Sequence, residues 1–126
     1  MSLLVPAVGE TEMLSRLLNK SATGDVKIHL YSDNVTPADG DVIGDYTLIT
    51  SPAAETLTGA SWTVTAGTAS YAQITFTFAG ADTAYGYLVT DAAGTTLMWS
   101  EIFTDGPYSI PSGGGTVKVT PTITLE

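Results

Sequence analysis

Beyond Val26, apolar side chains recur at every second position rather than every third or fourth. A period of two puts successive side chains on opposite faces of an extended chain, so this pattern selects strands and excludes a helical bundle. Val26, Ile28 and Leu30 alternate with Lys27, His29 and Tyr31. The run Tyr71–Phe78 is clearer still: Ala72, Ile74, Phe76 and Phe78 share one face, and Tyr71, Gln73, Thr75 and Thr77 the other. Trp62–Thr65 reads as a shorter strand, and Tyr46–Thr50 as a short strand or extended segment. Asp91-Ala92-Ala93-Gly94 separates Ala84–Thr90 from Thr95–Phe103, a hairpin in which Gly94 supplies the positive φ. In its second arm Leu97, Trp99, Glu101 and Phe103 fall opposite Met98, Ser100 and Ile102. Large apolar groups on both faces predict a strand covered on both sides. Val117, Val119, Ile123 and Leu125 form the last apolar face, and Pro121, which lacks an N–H, places that strand at an edge or a bulge.

Ahead of these strands the period is helical. Met13, Leu14, Leu17 and Leu18 predict one helix over Glu10–Lys20, with acidic residues in its first turn and Lys20 in its last. About seven short strands after one helix predict a mainly β fold, an antiparallel β-sandwich or jelly-roll-like barrel. Residues 1–24 are expected to form an N-terminal arm and helix packing on a β-sandwich of residues 25–126, one domain overall. The segment Ser2–Gly9 is apolar, and Leu3, Leu4, Val5, Pro6 and Val8 are expected to reach a neighbouring chain as an arm.

Composition bears on partners. Charged residues make up 13% of the 126, against about 25% in typical domains, and Thr, Ser, Gly and Ala take their place. Such a surface is covered by a neighbour at low desolvation cost. The net charge is −9, and Arg16, Lys20, Lys27 and Lys118 are too scattered to neutralise a run of phosphates, so neither nucleic acid nor an anionic membrane is an expected partner. No cysteine is present, and Met1–Pro6 lacks the basic start of a secretory signal. No apolar run approaches the ~20 residues that span a bilayer.

The chemistry-bearing residues are few. His29 is the only histidine, it sits mid-strand, and no Gly-x-Ser-x-Gly elbow accompanies it. Asp33, Asp39, Asp41 and Asp45 share one polar loop and read as turn formers; their spacing does not match the helix–loop–helix calcium pattern. Gly113-Gly114-Gly115 lacks the Lys-Ser/Thr of a phosphate loop. No catalytic residue, metal ligand or cofactor is therefore expected. Trp99 and Phe103 read as core, while Tyr85, Tyr87 and Tyr108 suit an interface that keeps one end wet.

Several segments, taken in order, resemble small structural proteins of tailed bacteriophages. They are Leu3-Leu4-Val5-Pro6 with Gly9-Glu10, His29-Leu30-Tyr31-Ser32-Asp33-Asn34, Leu57–Trp62, Tyr85-Gly86-Tyr87, Leu97–Glu101 and Gly106–Pro111 through Leu125. The resemblance covers nearly the whole chain. It implies a virion component, assembled in the host cytoplasm, similar to the decoration or cement proteins that often trimerise over junctions between subunits of the major capsid protein. It fits a tail or fibre-base subunit as a second place in the virion. Two alternatives from other classes remain: a receptor- or sugar-binding tail module using Tyr85, Tyr87 and Tyr108, and a glycan hydrolase built on the loop carboxylates.

Overall fold

The computed structural model describes residues 3–17 and 24–124. The fold is mainly β, with several antiparallel sheets, a sandwich-like arrangement and one short helix near the N-terminus. The chain order is α1 (Ala7–Leu17), β1 (Val26–Tyr31), β2 (Glu55–Leu57), β3 (Thr63–Thr65), β4 (Thr68–Ser70), β5 (Ile74–Phe78), β6 (Asp82–Ala84), β7 (Gly86–Thr90), β8 (Leu97–Ile102), β9 (Tyr108–Ile110), β10 (Gly115–Val119) and β11 (Thr122–Thr124).

The central sheet runs β2-β1-β7-β8, and both of its faces are covered. Every residue of β7 is buried, because this strand has a strand on either side and a core above and below. On one face Ile28, Leu30, Tyr87, Val89 and Trp99 meet Phe76, Phe78, Val117 and Val119 of the β5-β10 pair. On the other face Tyr31, Leu88 and Leu97 meet Tyr46, with Val35, Ile43, Leu48 and Tyr85 packed around them. The long polar loop thus doubles as the lid of a second core. Its carboxylates fold it: Asp33 accepts from Thr47 N at 3.0 Å, Asp41 from Ala38 N at 2.9 Å, and Asp45 from Val42 N at 2.9 Å. These are the turn-forming roles expected of them.

Tyr46 ties this lid to the sheet. Its hydroxyl donates to Asp41 Oδ2 at 2.7 Å and lies 3.0 Å from Ser100 Oγ. A phenol has one hydrogen and a carboxylate only accepts, so Ser100 is the donor in the second bond. Burial pushes the Tyr46 hydroxyl well above its ordinary range, so it stays protonated.

Alternation breaks once, in β8. Thr90 pairs with Leu97 and Val89 with Trp99, which leaves Met98 as the extra residue of a bulge. Met98 and Trp99 consequently join the same core, while Leu97 joins the other. Strict alternation had put Leu97 with Trp99; the inserted residue is the reason it does not hold.

The long apolar runs are also divided. Tyr71–Gln73 link β4 to β5, so that run is strand only from Ile74. The last run splits at Pro121, which is buried: β10 pairs with β5, and β11 crosses to pair with β4. The residue that cannot continue a ladder marks the change of sheet. Leu125 lies outside the described residues, as do Leu18 and Lys20 of the expected helix.

The helix starts earlier than the pattern predicts, with Glu10 N bonded to Pro6 O at 3.0 Å. Gly9 lies inside it for a steric reason. A Cβ there would stand 2.0 Å from the carbonyl oxygen of Met98, so only glycine lets α1 rest on β8. Leu4 and Ser100 exchange backbone hydrogen bonds of 3.4 and 3.2 Å, which extends the sheet by one bridge. The N-terminal segment therefore covers the outer edge of β8.

The β7-β8 hairpin has the expected glycine, Gly94, at φ +75°. Asp91 organises the turn by accepting from Thr95 N at 2.8 Å and Thr96 N at 3.1 Å. Partial burial raises the carboxyl, but these donors outweigh it and hold the group below its ordinary 3.8. A depressed carboxyl stabilises the fold above its unfolded value and loses that contribution as pH falls through the folded one. Asp91→Ala is expected to cost about 1 kcal/mol near neutral pH, kept small because the group is largely exposed. The cost should begin to shrink as pH falls past 3.8 and keep shrinking until the folded carboxyl is itself protonated, which urea titrations of both proteins at neutral pH and at a series of pH values below 3.8 would check.

Candidate functional site: an apolar groove

Beside the central sheet stands a smaller one, ordered β11-β4-β3. Its register aligns Val64 with Ala69 and Ala69 with Ile123, one residue from each strand, so the three form an apolar row. The flanking positions hold Thr63, Ser70 and Thr122 on one side and Thr65, Thr68 and Thr124 on the other. The row shares the lining of a groove of about 1430 Å³ with Leu3 and Val5 of the N-terminal segment and Met13 of α1. Met98 and Trp99, brought to one face by the bulge, line it as well. Val64 is 72% exposed, the most open large apolar side chain among the described residues.

Aromatic contacts shape one end. Trp62 stands edge-on to Trp99 at 6.2 Å and to Tyr71 at 5.2 Å. The Trp99 indole N–H is buried and has no acceptor in hydrogen-bond geometry. It acts electrostatically on the nearby Tyr87 hydroxyl, but burial dominates there and pushes that phenol up to about 12.

Three charged residues line the groove. Arg16 is paired with Glu12 at 3.0 Å and also donates to Gly24 O. Glu10 and Glu101 have no cationic partner among the described residues. Glu101 is half-buried, and burial raises its carboxyl above the ordinary value.

Of the residues expected at an interface, Leu3 and Val5 line this groove. Val8 is 36% exposed. Leu4 is spent on its own strand β8, and Pro6 is buried, so this stretch folds back on its own chain rather than extending as a free arm. Tyr87 is 3% exposed, in the main core, because β7 is the innermost strand. It stacks towards Phe103 at 6.4 Å, which contacts Tyr108 at 4.9 Å, and Tyr108 donates to Asp105. Tyr85 packs against the opposite core. The three tyrosines do not make one platform. Trp99 is core, as expected, at 4% exposure.

His29 is half-buried, with Nε2 at 2.9 Å from Thr90 Oγ1. Thr90 donates its own hydrogen to Asp91 O, so the histidine donates to Thr90 and carries its proton on Nε2. Burial and Lys27 lower its pKa. No carboxylate is bonded to it among the described residues, and the Thr90 hydroxyl that it meets is fully buried, out of reach of a substrate. Nor does any group of three His, Asp or Glu there stand ready to hold a metal ion, and no helix there is long and apolar enough to cross a membrane.

The sequence pattern did not mark Val64 and Ala69 as lining a site, and it placed Ile123 and Glu101 only on strand faces. The strands of Val64, Ala69 and Ile123 are three residues long, with Thr or Ser on either side of the one apolar residue, so nothing marks their apolar face as half-covered. No protein-family model, curated protein or solved structure matches this chain.

Proposed function

We propose that this chain is a structural protein of a phage virion, a decoration protein that stabilises the head by burying surface between capsid subunits. One observation supports it above the others: an open apolar groove, with Val64 72% exposed at its wall, in a chain of only 13% charged residues. Exposed apolar surface of this kind marks an interaction site. Association then needs no chemistry, since an interface of about 1,600 Å² suffices for a stable complex. Repetition over a symmetric shell multiplies it by avidity. The partners in this reading are the major capsid protein and further copies of the chain, as a trimer.

The reading is tested on purified particles. Electron microscopy should show density for the chain on the head, and particles stripped of it should release their genome at lower temperature. Particles that lack the chain, or an isolated monomer that turns over a glycan, would overturn it.

A further inference from the structure

We propose that the groove seats an apolar peptide segment of a partner protein, with lysine or arginine beside its apolar residues. The inference rests on the surface-covering reading above and gives the chemistry of what is covered.

Volume decides the class of occupant. At about 1430 Å³ the groove exceeds the ~300–1,000 Å³ of pockets that enclose a small molecule. It has room for several side chains of a polypeptide. Val5, Met13, Val64 and Ile123 all line it and offer apolar contact to an inserted segment. The outer side of β3 pairs with no strand among the described residues, so Thr63–Thr65 also offers backbone donors and acceptors to an extended chain.

Charge decides the character of the segment. Arg16 is held by Glu12, so Glu10 lines the groove with no cationic partner among the described residues, while the N-terminal ammonium acts on Glu101 without outweighing its burial. A second copy of the chain would bring a further net charge of −9 to this place, and like charge opposes such a pairing. A basic segment satisfies both carboxylates and is steered towards an acidic protein.

The chain carries its own reporter, because Trp62 and Trp99 are its only two tryptophans and both line the groove. The full chain is titrated with a short amphipathic leucine–lysine peptide and with its leucine–glutamate counterpart, following tryptophan emission. The expected result is a saturable spectral shift with the lysine peptide and at least ~10-fold weaker binding of the glutamate peptide. Val64→Asp separates seating from adhesion. It deletes an apolar contact and adds acidic charge at an exposed site that tolerates change in folding. Seating in the groove predicts about tenfold weaker binding of the lysine peptide; mere attraction to an acidic surface predicts stronger binding. Glu10→Gln combined with Glu101→Gln should narrow the difference between the two peptides.

Equal affinity for both peptides, or unchanged or tighter binding by Val64→Asp, would overturn the proposal. So would light scattering that shows a dimer from which Val64→Asp releases monomers, since the occupant is then a second copy. Failure to bind the lysine peptide by a chain that is present on particles removes this proposal alone. Absence from particles with peptide binding intact removes the virion reading and leaves the groove's specificity standing.

Discussion

Gly86→Ala is expected to destabilise the chain by about 3 kcal/mol or more, the cost of forcing atoms into a packed interior. Gly86 sits in the innermost strand, opposite Tyr31 on one side and Ile102 on the other. A Cβ there would lie 2.3 Å from the carbonyl oxygen of Glu101 and 2.4 Å from the Tyr31 hydroxyl. Neither neighbour can give way. The carbonyl belongs to a paired strand, and Tyr31 is fully buried with its hydroxyl donating to Val35 O at 3.2 Å. Removing that hydroxyl brings no relief, because the ring carbon Cζ stands at 2.6 Å. Gly44→Ala is the matched control: nothing lies within 4 Å of its would-be Cβ, and a change within about 0.5 kcal/mol is expected. Urea denaturation midpoints of the two variants check the pair; equal midpoints would mean that β7 is not packed between β1 and β8 as described.

Phe76→Ala is expected to cost ~3–5 kcal/mol, the combined loss of transfer free energy and of the space left behind. Phe76 is 2% exposed and stands opposite Val117, in the layer that covers the central sheet. Thr75 and Thr77, one residue away on either side, are exposed. Thr75→Ala should therefore stay within about 1 kcal/mol. Calorimetric melting of the two variants tests the two-residue period directly, and comparable losses from both would contradict the burial pattern of β5.

That period was the legible part of the fold. It located β1, β5 and β10 with the correct inward faces, because each has one face in the main core and one in solvent or against the lid. The hairpin at Asp91–Gly94 was legible because glycine alone adopts its φ without strain. The bulge at Met98 was not, since an inserted residue leaves no mark in composition and only the pairing of Val89 with Trp99 reveals it. The second core was hidden for another reason. Val35, Ile43, Tyr46 and Leu48 are spread through a loop of turn formers and acquire a common face only when Asp33, Asp41 and Asp45 fold it. The groove was half-legible: Leu3 and Val5 stood out as apolar residues near the start, but their counterpart wall depends on where β11 goes after Pro121.

The pairing of residues 26–31 with 86–90 also governs how the chain is made. A ribosome delivers β1 long before β7, so Ile28, Leu30 and Tyr31 wait without the neighbour that buries them on both sides. Contacts this distant in sequence close late and slowly compared with local ones. Until translation passes Thr90, the emerging polypeptide exposes a half-paired, apolar strand, the kind of surface that general chaperones grip.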